Sequence, residues 1–127
     1  MILDTDILVW HLRGNEKARA LVHKSIPFGI SVVTYMELIQ GMRDKAEMNM
    51  LVRQLADWGV DIIQISADIS TRAMIYVEHY RHSHSMELAG ALIAATAVTA
   101  SEELYTCNAK HYKHIPNIRV KRFAFQS

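Results

Sequence analysis

The sequence predicts an α/β fold of three layers, in which a parallel sheet of four or five strands lies between helices. Three observations carry that expectation. Short β-like runs alternate along the chain with stretches of helical spacing, and alternation of this kind favours a parallel sheet joined by right-handed crossovers. No internal repeat, low-complexity tract or Gly/Ser-rich linker divides the 127 residues, and 50% of them are hydrophobic, enough to fill one core. A single domain spanning residues 1–127 is therefore expected.

The strands are expected at residues 1–3, 28–33, 61–65, 103–106 and 118–123. Helical stretches are expected at 6–12 and 16–24, then at 35–42 and 45–58. The last of these carries Leu51, Leu55 and Trp58 on one face and stops at Gly59. Residues 67–80 present Ile69, Ala73, Tyr76, Val77 and Tyr80, and residues 86–99 present Leu88, Ala91, Leu92, Ala95 and Thr99. The weakly polar run from Leu88 to Ala100 is too short for a bilayer, which needs roughly 20 apolar residues, and reads as a buried helix. The single cysteine, Cys107, cannot form an internal disulfide, and no leader pattern precedes Asp4, so a cytoplasmic location is expected. The formal net charge of +1 does not decide for or against nucleic acid. Its distribution says more: residues 104–127 contain no acid but hold Lys110, Lys113, Arg119, Lys121 and Arg122.

In doubly covered parallel sheets the ligand crevice lies beyond the carboxyl ends of the strands, and two acids fall there. Asp4 ends the first apolar run, where it either caps the following helix or ligates a metal. Glu37 follows the second strand, and Thr34-Tyr35-Met36-Glu37 has the form of a capping box. Taken together, the two segments place both acids where they could converge on one hard cation.

Four blocks then make a specific resemblance. They are Met1-Ile2-Leu3-Asp4-Thr5-Asp6-Ile7-Leu8; Thr34-Tyr35-Met36-Glu37-Leu38-Ile39-Gln40-Gly41; Leu88-Ala89-Gly90-Ala91-Leu92-Ile93-Ala94-Ala95-Thr96-Ala97; and Tyr105-Thr106-Cys107-Asn108-Ala109-Lys110-His111-Tyr112. In order and spacing the chain resembles a PIN-domain ribonuclease of the VapC type, the toxin of a VapBC toxin-antitoxin pair, from near Met1 to about Val120. The resemblance implies an endoribonuclease that uses Mg2+ or Mn2+ to activate water for in-line attack on an RNA phosphodiester. It implies Asp4 and Glu37 as metal-binding acids, and Thr106 and Asn108 as polar groups that position water or phosphate. Asp6 stands where a small polar residue is usual, and could hold the loop of Asp4. Also implied are a homodimer and an antitoxin whose peptide covers the acidic pocket.

The chain departs from the family pattern at Gly90, where an Asp ligand normally precedes the Ala-Leu-Ile-Ala-Ala string. Either Gly90 serves close helix packing, or the enzyme is attenuated or silent; a silent domain would still bind antitoxin or RNA. Glu87, three residues earlier and so on the same helix face, is a candidate substitute ligand, or else a partner of the helix dipole. A structural scaffold with no role for the acids is the third possibility. Lys110 and Lys113 are candidate RNA contacts, or a solvated face. The aromatic Tyr105, Tyr112, Phe123 and Phe125 either stack on bases or pack in a core or dimer. His79, His82 and His84, with His111 and His114, admit a zinc site or exposed helix-end histidines. No glycine-rich phosphate loop and no Ser-His-Asp pattern is present.

Overall fold

Strand alternation builds the layers. In the computed structural model, which describes residues 1–124, β1 (Ile2–Leu3) sends Ile2 into one apolar cluster and Leu3 into another on the opposite face. The same division recurs in β3 (Asp61–Ile63), with Ile63 on the first side and Ile62 on the second, and in β4 (Leu104–Thr106), with Leu104 and Tyr105. With β2 (Gly29–Ser31) and β5 (Val120–Arg122) these strands form one parallel sheet in the order β3-β2-β1-β4-β5. The sheet thus has five strands. Phe125 lies outside the described residues.

One face is covered by α5 (Ala67–His84) and α6 (Leu88–Ala100), which contribute Ile69, Ala73, Tyr76, Ala91, Ile93 and Ala94 to the first cluster. The other face receives α1 (Thr5–Leu12), α2 (Glu16–Ser25), α3 (Val32–Gln40) and α4 (Lys45–Asp57) through Ile7, Leu8, Leu21, Val22, Leu38, Leu51 and Leu55. A helix apolar on every side belongs inside, and α6, with Ala91, Ala94, Ala95, Thr96 and Ala97 all buried, is the buried helix expected except at its start, where Leu88, placed on the apolar stripe by its spacing, is 71% exposed. Among the described residues no helix is long and apolar enough to cross a membrane. The α4 stop is also as expected: Gly59 takes φ +66°, a left-handed conformation that costs glycine little, after the cap at Trp58.

Two local expectations fail, both at helix starts. Ser31 caps α3 by accepting from the Val33 N–H at 3.0 Å, so the helix starts at Val32 and the strand ends earlier than residue 33. Val32 and Val33, β-branched and apolar, read as strand, but the cap outweighs their weak helix propensity. Glu37 is consequently one turn inside the helix and not the third residue of a capping box. Similarly α6 starts at Leu88. Glu87 is its N-cap, with extended backbone and no side-chain cap bond, so it stands just before the helix and not within it.

Because the chain runs from β1 outward through β2 and β3 and then returns to β4 on the other side of β1, the sheet has a switch point at the β1–β4 boundary. A crevice opens at the carboxyl edge there.

Candidate active site

Asp4 is the first residue beyond β1, and Thr106 the last of β4, so the parallel register that pairs Leu3 with Tyr105 sets them side by side. The Asp4 carboxylate is 6% exposed and heavily bonded. Its Oδ1 accepts from the Thr5 N–H at 2.8 Å, which makes Asp4 the cap of α1; its Oδ2 accepts from the Thr106 and Tyr112 hydroxyls, both at 2.9 Å. Capping and site geometry are served by the same side chain. Asp6, in the first turn of α1, uses Oδ2 to accept from the Cys107 N–H at 3.1 Å and lies 3.2 Å from Thr106 Oγ1, while its Oδ1 is buried with no hydrogen-bond partner. Thr106 Oγ1 in turn accepts from the Asn108 N–H at 3.0 Å. On the other side, Thr5 Oγ1 donates to Glu37 Oε1 at 2.7 Å and lies 2.9 Å from Thr34 Oγ1. α3 thereby brings Glu37 to the start of α1.

Two adjoining cavities of about 350 and 360 Å³ make the crevice, and both are lined by Asp4, Asp6, Ala89, Gly90 and Tyr112. The first is completed by Glu87, Asn108 and His111 among others, the second by Thr5, Glu37 and Trp10. Asp4, Glu37, Thr106 and Asn108 therefore meet at one end of the sheet, and Gly90 faces both cavities. Lys110 and Lys113 are exposed and line neither cavity; His111, between them in sequence, does.

Burial in this crevice is costly for acids. Desolvation, with the charge of Glu37 adding to it, raises the Asp4 carboxyl above its usual range against the pull of its three donors. Asp6 is raised to about 6, by desolvation first and the Asp4 charge second. The Tyr112 phenol is raised by burial and then by Asp4. The Cys107 thiol, pushed up to about 12 by burial, Asp6 and Asp4, stays protonated and is no nucleophile at neutral pH. A consequence for stability follows from the sign. The folded chain holds the Asp6 proton more tightly than the unfolded chain, so the Asp6 contribution falls as pH rises from about 4 to about 6 and stays low above it. His11 and His114, lowered chiefly by burial, slope the other way, so a difference between proteins is needed. Asp6→Asn should be more stable than the parent at pH 7.5 in EDTA by about 1–3 kcal/mol, with the advantage shrinking toward pH 4.5. Urea midpoints at both pH values measure it, and a pH-independent difference would contradict it.

The histidines divide. His84 and His114 stack at 4.0 Å and 15°, and the His114 ring also meets Tyr80 edge-on at 4.5 Å. Among the described residues no three His, Cys, Asp or Glu stand together as a set able to hold a metal ion, so the zinc reading is not supported. His79, His82 and His84 are exposed near the end of α5, which continues past residue 80 to His84. Tyr105 and Phe123 pack on the second core cluster, in accord with the packing reading of the aromatics.

Sequence reasoning missed the contact that Tyr112 makes. The residue is 5% exposed like a core aromatic, yet its hydroxyl ends on Asp4, 108 residues away. No local spacing signals such a contact; the cue was a hydroxyl-bearing aromatic at the end of the last active-site block.

The family model described as PIN domain matches residues 1–116. Ribonuclease VapC10 of Mycobacterium tuberculosis is 39% identical over 116 residues, covering 88% of this chain and 85% of the relative. Ribonuclease VapC19 of the same organism is 29% identical over 123 residues, covering 93% and 96%. Among solved structures, a toxin-antitoxin complex from Klebsiella pneumoniae aligns at a TM-score of 0.76 with 29% identity, covering 92% of this chain and 93% of that one. VapBC2 from Rickettsia felis, bound to a DNA fragment from its promoter, aligns at 0.78 with 19% identity over 97% and 98%, a likeness of fold alone. The chain belongs to the PIN-domain family and, within it, to the VapC-type ribonucleases.

Proposed function

We propose that this chain is an Mg2+- or Mn2+-dependent endoribonuclease, the toxin half of a toxin-antitoxin pair, working in the crevice at the β1–β4 switch point as a single PIN-like domain. The observation that carries this reading is the placing of buried Asp4 and half-buried Asp6, whose ionisation burial opposes, in one crevice with Glu37. The donor set is all oxygen, Asp6 Oδ1 is an orphan, and Asp4 Oδ1 accepts only one bond, which suits a hard cation. Magnesium is commonly held by only one or two carboxylates together with waters and substrate phosphate, so Asp4 and Glu37 suit it although no three acids among the described residues stand together as a metal-holding set. When bound, such an ion supplies Lewis acidity toward phosphate and lowers the pKa of water.

The residues of the chain do the rest. Thr5 and Thr106 fix the two acids by short hydrogen bonds, and Asp6 anchors the loop after β4 through the Cys107 N–H. Asn108 borders the same cavity and is placed to meet water or phosphate. Outside it, Lys110 and Lys113 are proposed to hold flanking RNA phosphates, contacts that position without specifying sequence. A homodimer, a cytoplasmic location and an antitoxin peptide laid over the crevice complete the reading. Gly90 supports a second one, in which the domain is silent and only binds antitoxin or RNA. Incubating the chain with RNA in Mn2+ and in EDTA decides between them: internal cleavage in Mn2+ alone is expected, and no cleavage in either would favour the silent domain.

A further inference from the structure

We propose that Tyr112 is a latch on Asp4: a positioning residue that holds the carboxylate in the cation-free chain and competes with a cation for it. The inference rests on the cation reading above and concerns a residue to which that reading gives no role. Tyr112 follows the 3-10 turn Ala109–His111, and it is buried and lines both cavities. A carboxylate oxygen has two lone pairs in its plane, and Asp4 Oδ2 already meets two hydroxyls, Thr106 and Tyr112, each at 2.9 Å. A cation approaching Oδ2 must therefore displace one of them. Thr106 is tied in by the Asn108 N–H and by its alternative acceptor Asp6, so the phenol is the donor that gives way.

Gly90 is part of the same arrangement. A Cβ at position 90 would lie 4.0 Å from Tyr112 Cε1, so the missing side chain leaves the edge of the phenol ring bordering the crevice. The hydroxyl thus offers Asp4 a neutral donor on the side of the crevice that Gly90 leaves without a carboxylate. The latch compensates Asp4 for its burial without a counter-charge, and a cation that takes Oδ2, alone or together with Oδ1, must break a bond to a charged group to do so.

Tyr112→Phe removes the hydroxyl and keeps the ring, while Thr5 and Thr106 still orient Asp4. Mn2+ titration of the RNA-free chain, followed by electron paramagnetic resonance, should show this variant binding about tenfold more tightly than the parent, the scale of one hydrogen bond to a charged group. A second readout needs no variant. Mn2+ should perturb the near-ultraviolet tyrosine absorbance of the parent as the phenol leaves Asp4, and the perturbation should be absent from Tyr112→Phe. Tighter binding by the variant, including binding by the variant alone, supports the latch. Equal or weaker binding beside a parent that binds Mn2+ overturns the latch and leaves the cation reading standing. If parent, Tyr112→Phe and Gly90→Asp all fail to bind, both fall.

Discussion

Asp4→Asn should reduce Mn2+-dependent RNA cleavage by about a hundredfold or more, equivalent to nearly 3 kcal/mol of barrier, while leaving the fold intact. Asp4 is the acid on which the site converges: it receives the Thr5 N–H and the hydroxyls of Thr106 and Tyr112, and it lines both cavities. Asparagine keeps an acceptor for the Thr5 N–H, so the start of α1 is preserved. It replaces the other oxygen with an NH2 group, which neither accepts from the two hydroxyls nor ligates a cation. Stability should change little at neutral pH, because removing a carboxylate whose ionisation burial opposes offsets the lost bonds. Cleavage of a fluorescent RNA by parent and variant at equal folded concentration, in Mn2+ and in EDTA, measures the ratio. Parental activity in Asp4→Asn would end the proposal that this carboxylate serves catalysis.

Much of this arrangement was legible in the sequence, and the failures have a common cause. Alternation in Ile2-Leu3 and Leu104-Tyr105 reflects the two faces of a covered sheet, so the layers and the edge that carries Asp4 could be read from local pattern. Element ends could not be read as well, because the backbone of a single cap residue sets them. Ser31 starts α3 within a run of β-branched residues, and the extended backbone of Glu87 delays α6. Those shifts move Glu37 one turn into its helix and put Glu87 at a cap, where it still lines one cavity with Gly90. Contacts between distant segments were the least legible. The Tyr112–Asp4 and Thr106–Asp6 contacts join residues about a hundred positions apart and exist only once β1 and β4 pair. His111, not Lys110 or Lys113, lines the crevice because of the 3-10 turn that carries it, which spacing alone did not reveal.

Gly90→Asp should gain function, cleaving RNA at least about tenfold faster in Mn2+ than the parent, a change worth about 1.4 kcal/mol of barrier. Position 90 is the third residue of α6 and faces the crevice, so a carboxylate there points toward the cavities that Asp4 and Asp6 line. There is room for it: the new Cβ would come 3.3 Å from Met86 Cε, the free end of a flexible side chain that can yield a few tenths of an ångström. Helix propensity and the N-terminal dipole both favour Asp over Gly at this place. Electrostatics oppose it while the crevice holds no cation, since a third acid joins two whose ionisation is already penalised. The signs therefore separate with metal. In EDTA the variant should be equal to the parent or less stable, and in excess Mn2+ it should be more stable, because ligand binding to the folded state adds stability that grows with the logarithm of its affinity. Thermal unfolding in both buffers, beside the cleavage assay, tests the two halves independently. Glu87→Gln belongs in each background, because Glu87 is exposed at the rim of the same cavity. Loss of parental activity on that change would make Glu87 the substitute carboxylate, with little effect expected in the Gly90→Asp background. If Gly90→Asp binds Mn2+ no better and cleaves no faster than the parent, a missing ligand does not explain the glycine, and its place beside Met86 and Tyr112 has to be understood as packing alone.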